Sequence, residues 1–206
     1  TEKIPAGSSA ATSPKKNRPR PADSTACPSP PSMGSGASSA HGGTTWAAAR
    51  AADGGRWTLG RRDFEWHELR GHTASDLVLV DKTSGVAFVG GLVFADRVPT
   101  TPHADPKAWL ATLDTLAGLK LGTVVPSHGP VHQGLRGLQQ TRDFLRWLDT
   151  SFTQWASQGW EMNEVLRAPP PEAFTRWAAW PAEYTRNVAH LYPRYERAAL
   201  QRGKTP

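Results

Sequence analysis

One cysteine, Cys27, is all that this chain of 206 residues offers, and a single thiol excludes an internal disulfide. No apolar run is long enough to span a bilayer, which excludes a membrane-spanning helix. Nothing near the start reads as the apolar core of a secretory leader, so no signal peptide is expected in this sequence. Residues 1–55 contain no Leu, Val, Phe or Tyr, and their only large apolar side chains are Ile4, Met33 and Trp46. Such a stretch buries too little apolar surface to offset its chain entropy, so it is expected to be a disordered Ser/Ala/Pro/Gly-rich arm. A glycine-rich phosphate loop and an internal repeat are also missing. Gly71-His72-Thr73-Ala74-Ser75 is too unlike a serine elbow for a serine nucleophile to be proposed.

What is present lies mostly after that arm. Residues 56–202 hold nearly all the branched aliphatic and aromatic side chains, enough for one compact domain. The net charge is +6, and part of it sits in Lys15-Lys16-Asn17-Arg18-Pro19-Arg20. That run reads as a solvated tail. No aromatic residue interleaves with it to stack on bases, so nucleic acid is not expected as a partner.

The domain reads as strands followed by helices. Arg56–Gly60 and Asp63–Leu69 alternate apolar and polar side chains, as half-buried strands do. Asp76–Asp81 is almost continuously apolar and reads as an interior strand. Lys82-Thr83-Ser84-Gly85 is a tight turn, and Val86–Val89 the returning strand. Asp105-Pro106 starts a helix, Asp as its cap and Pro at its first position, with Trp109, Leu110, Leu113 and Leu116 along one stripe. Thr123-Val124-Val125 is a short strand. Helices are expected over 134–157, 161–167, 172–180 and 182–202, the last kinked by Pro193. Nine tryptophans, five of them from Trp147 onward, read as packing residues. The fold class is therefore α/β, a sheet layered with helices.

Two segments carry the chemistry. Gly71-His72-Thr73-Ala74-Ser75-Asp76 and Val125-Pro126-Ser127-His128-Gly129-Pro130 each put a histidine in a glycine-flanked turn at a strand edge. A rigid sheet can aim imidazoles from such turns at a shared metal ion. Between them lies the segment Gly85–Phe94, an apolar strand ending in the paired glycines Gly90-Gly91. This order resembles the C-terminal half of the metallo-β-lactamase superfamily of zinc hydrolases. The resemblance implies part of an αββα sandwich, with a disordered N-terminal arm and a helical C-terminal tail. It implies zinc as cofactor, with His72 and His128 as metal ligands. The superfamily's bridging Asp falls on Gly91, which has no side chain, and its HxHxDH motif has no counterpart. Asp96 and His103 are candidates to line the pocket, whereas His67 and His132 read as surface or hydrogen-bonding residues.

The tail extends the likeness. Glu164-Val165-Leu166, Tyr184 and His190–Glu196, with Gly91–Phe94 and Arg97-Val98-Pro99, resemble the quinoprotein relay system zinc metallohydrolase subgroup. That implies a periplasmic protein tied to a quinoprotein dehydrogenase system. Zinc-activated water would then attack an ester, thioester or amide carbonyl. With half of the ligands missing, zinc is expected to bind weakly or not at all, and little hydrolysis is expected. The alternative is a non-catalytic fragment or the product of a mis-started translation. In the sandwich, a second sheet covers the first. Its loss would expose the apolar face of strands 76–89 and favour a homodimer or poor solubility.

Overall fold

The computed structural model describes residues 54–202. The N-terminal arm, with Cys27 and the basic run, lies outside the described residues. Six strands form one sheet in chain order: β1 (Gly54–Leu59), β2 (Arg62–Leu69), β3 (Asp76–Asp81), β4 (Val86–Phe94), β5 (Thr123–His128) and β6 (His132–Gln133). The first four make an antiparallel meander. β5 then runs parallel to β4, and β6 antiparallel to β5. A parallel neighbour needs a crossover, and α1 (Pro106–Gly118) supplies it.

Local chemistry explains most boundaries. Gly85 closes the β3–β4 turn at φ +73, where its missing Cβ removes the steric penalty. Asp81 supports the same turn, accepting from the backbone N–H of Thr83 at 2.9 Å and the hydroxyl of Ser84 at 2.7 Å. Asp105 caps α1, accepting from the backbone N–H groups of Lys107 and Ala108 at 3.1 Å.

Four helices follow the sheet: α2 (Arg136–Ser157), α3 (Met162–Arg167), α4 (Glu172–Thr175) and α5 (Ala182–Arg202). α1 and α2 cover one face of the sheet. Val78, Val80, Ala87, Val89 and Val124 pack there against Trp109, Leu113, Leu116, Leu138 and Leu145. The other side of α2 builds a second core, in which Phe144, Leu148 and Phe152 meet Val165, Tyr184, Val188 and Tyr192. The opposite sheet face carries Trp57, Leu59, Leu77 and Phe88, all exposed. Among the described residues no helix is long and apolar enough to cross a membrane.

Three elements differ from the sequence reading. β4 does not stop at Val89: it passes through Gly90, at φ +53, and continues to Phe94 with shifted register against β5. The helix expected over 172–180 ends at Thr175. Its second half is taken by backbone pairing instead, with Ala178 donating to Asp96 at 2.9 Å and accepting from Val98 at 3.1 Å. A two-residue strand, β6, follows the His128 turn where none was expected.

Candidate metal site

His72 sits in the turn between β2 and β3. Gly71 makes that turn possible: at φ +150 its Cα faces α1, and a Cβ would lie 2.6 Å from Trp109 Cβ. Thr112 on α1 ties the turn down by donating to the Arg70 carbonyl at 2.6 Å. The start of α1 does the same, as the Asp105 N–H donates to the Gly71 carbonyl at 2.9 Å.

The His72 imidazole is half-buried and enclosed on several sides. Trp109 meets it edge-on, with centroids 5.3 Å apart and planes at 71°. Phe94 lies 5.9 Å away on another side. His72 Nε2 shares a hydrogen bond of 3.3 Å with the Thr100 hydroxyl. Nδ1 stands 3.7 Å from the carboxylate of Asp76, too far for a direct hydrogen bond. Asp76 instead accepts from the Thr73 N–H at 3.0 Å and its hydroxyl at 2.8 Å.

His128 ends β5 beside Phe94 in the parallel register. Its ring stacks on the Phe94 ring at 5.3 Å and 29°. Both histidines thus pack near the Phe94 ring. Both imidazoles and the exposed His103 lie close enough for His128 and His103 to act electrostatically on His72. The structure therefore brings the His72 and His128 rings to the same phenylalanine, Phe94, at one end of the sheet.

Gly91 borders the same place. A Cβ there would lie 2.7 Å from His72 Cε1 and 3.0 Å from Cγ, and would overlap Nδ1. The His72 ring fills the room that a side chain at position 91 would need. Asp96 is committed elsewhere. It receives Arg136 at 2.8 and 2.9 Å and the Gln140 amide at 2.8 Å. The Gln140 amide and the Arg136 guanidinium hold its carboxyl below the usual carboxylate range, against burial. His132 is buried rather than on the surface and fastens α2. Its Nε2 accepts the Gly137 N–H at 3.0 Å, so Nδ1 carries the proton and donates to the Pro130 carbonyl at 3.2 Å.

Sequence reasoning missed Thr100, Phe94, Trp109 and Asp76 as neighbours of His72. Only Asp76 left a signal, since Thr73 and Asp76 have the spacing of a self-closing turn. Thr100 is placed from far along the chain. Asn187 on α5, fully buried, donates to the Pro99 carbonyl and accepts from the Thr101 hydroxyl, both at 2.7 Å.

Burial lowers the pKa of His72 from its ordinary value of 6.5, and repulsion from His128 and His103 adds to this, while Asp76 opposes it. The folded state thus binds fewer protons than the unfolded chain as pH falls through 6.5. Stability attributable to His72 should be full above that pH and decline below it. A proton NMR titration should place the His72 midpoint below the unfolded one, and in His72→Gln the slope of stability against pH should flatten. A His72 midpoint at or above 6.5 would contradict this.

Residues 54–128 match the family model of the metallo-beta-lactamase superfamily. The described residues form a mixed α/β fold, a six-stranded sheet with helices. Among solved structures, a metallo-beta-lactamase from Pontibacter korlensis is 29% identical, with a TM-score of 0.43. VMB-1 is 20% identical, with a TM-score of 0.39 and 42% of each chain covered. TMB-1 is 19% identical, with a TM-score of 0.40, 46% of this chain and 45% of that one being covered. The chain spans about half the length of such structures, 47% of the Pontibacter protein against 47% of its own length. No curated protein matches it.

Zinc, the metal this superfamily implies, needs three or four His, Cys, Asp or Glu ligands. Among the described residues no three such side chains form a group able to hold a metal ion. His72 and His128 supply two imidazoles, Gly91 supplies nothing, and Asp96 is bound to Arg136 and Gln140. The donor set does not fit zinc.

Proposed function

We propose that this chain is a metallohydrolase-fold relative that keeps the sheet and two histidine positions of a zinc hydrolase without its catalysis. Gly91 carries this reading. The position on which the resemblance puts the bridging carboxylate holds no side chain and abuts the His72 ring, which would have to move to admit one. Two neutral imidazoles without a carboxylate hold zinc poorly, because water must complete the shell. The chain as given also contains no HxHxDH sequence. No hydrolytic step follows from His72 and His128 alone, and the hydrolysis of esters, thioesters or amides is a proposal only for a protein that completes the site. The tail motifs around Glu164 and His190 support a kinship with the quinoprotein relay subgroup, and through it a periplasmic setting and a dehydrogenase partner.

The test is a competition titration of the purified chain against a zinc chelator, with elemental analysis of the same sample. Zinc should be lost to a chelator of nanomolar affinity, and zinc should not stimulate hydrolysis of simple ester, thioester and amide substrates. Tight stoichiometric zinc that disappears in both His72→Ala and His128→Ala would overturn the reading.

A further inference from the structure

We propose that the helical tail is a latch on the histidine site: α5 holds the segment Arg97–Ala104 as a strap across His72, and release of α5 opens the way to that ring. The latch acts on access to His72 and is independent of any metal.

The strap joins β4 to α1, and Pro99 and Pro102 remove two of its backbone donors. Such a segment cannot hold itself by a regular backbone ladder. One internal bond closes a turn in it, from the Ala104 N–H to the Thr101 carbonyl at 3.2 Å. Among the described residues, its other hydrogen bonds run to His72 on one side and to the tail on the other. The Val98 N–H donates to the Ala178 carbonyl at 3.1 Å. Asn187 donates its amide to the Pro99 carbonyl and accepts from the Thr101 hydroxyl, both at 2.7 Å. Arg194 donates to the Ala104 carbonyl at 2.8 Å.

These anchors decide where Thr100 sits. Asn187 grips the residue before it and the residue after it, and the Thr100 hydroxyl is thereby set 3.3 Å from His72 Nε2. Asn187 and Arg194 lie two turns apart on α5, so one face of that helix makes both contacts.

The latch is tight in one place and slack in others. Asn187 and Thr101 are fully buried, where an amide or a hydroxyl without a partner is costly. Arg194 lies at the surface. Arg97, at the start of the strap, buries its Nε with no acceptor among the described residues. Water would supply that acceptor once the strap lifts, which lowers the cost of opening. Segments held in this way open locally, without unfolding of the core.

Hydrogen exchange followed by NMR, and diethyl pyrocarbonate labelling located by mass spectrometry, test this on the full chain at one fixed pH. In Asn187→Ala the amides of Val98 and Ala104 should exchange about tenfold faster relative to those of Val78 and Val80 in β3. His72 should be labelled faster by about the same factor, relative to the exposed His190 on α5. Arg194→Ala, at a surface position that demands little of folding, should move the Ala104 amide and His72 in the same direction by about threefold. Arg186→Ala, on α5 but paired with Glu183 at 3.0 Å, should change neither. Equal acceleration of strap and β3 amides in both Asn187→Ala and Arg194→Ala overturns the proposal, as does His72 labelling at the wild-type rate in both.

Discussion

Gly129→Ala should unfold the His128 turn and lower stability by about 3 kcal/mol or more. Gly129 has φ +98, a conformation that side chains rarely adopt. A Cβ there would lie 2.8 Å from the Ala95 carbonyl carbon and would overlap its oxygen. Neither partner can give way cheaply. The Ala95 N–H donates to the His128 carbonyl at 3.2 Å, so the two backbones are already tied together. Moving them apart would also pull the His128 ring from Phe94. Urea unfolding should show a large fall in the midpoint. Gly118→Ala gives the contrast: this last residue of α1 faces open space, so the added methyl should stabilise by up to about 1 kcal/mol. Equal effects at the two positions would sink the argument.

Trp109→Ala comes next in size, with an expected loss of about 3–5 kcal/mol. The ring is fully buried, and its Nε1–H donates to the Leu92 carbonyl at 2.9 Å. Alanine would leave both a cavity and an unpaired carbonyl. Trp109→Phe keeps most of the apolar volume and loses mainly the hydrogen bond, for about 1–3 kcal/mol. Trp109 is also a wall of the His72 pocket. Because burial is the main cause that holds the His72 pKa down, opening this wall should move its midpoint back toward 6.5. Urea unfolding and the His72 titration read the two effects separately. A stability loss with an unmoved His72 midpoint would show that Trp109 does not control the histidine's environment.

Readings that rest on near neighbours in the chain agree with the structure. β3 spans Asp76–Asp81, Gly85 turns the hairpin, and Asp105 with Pro106 starts α1, as their local patterns require. Each depends on a few adjacent residues, so a short window contains the cause. The zones that differ depend on partners far away. Position 178 prefers Asp96 and Val98 to its own helix. Asp96 lies five residues beyond Gly91, yet Arg136 and Gln140, at the start of a later helix, take its carboxylate. His132 reads as a surface or hydrogen-bonding residue, and the structure selects the second, with the ring buried and accepting from an N–H at the start of α2.

The sequence by itself determined the chemistry available: two glycine-flanked histidines, a glycine where a carboxylate would be needed, and an apolar pattern of period two in the strands. Those are properties of residue type and spacing, which no packing can change. Packing between distant residues set the rest: His72 and His128 both meet Phe94, the His72 ring occupies the space beside Gly91, and among the described residues one sheet face is covered while the other is bare. Pleating alternates the side chains of a strand but does not say which side the helices will take. That choice is made by contacts between residues many positions apart.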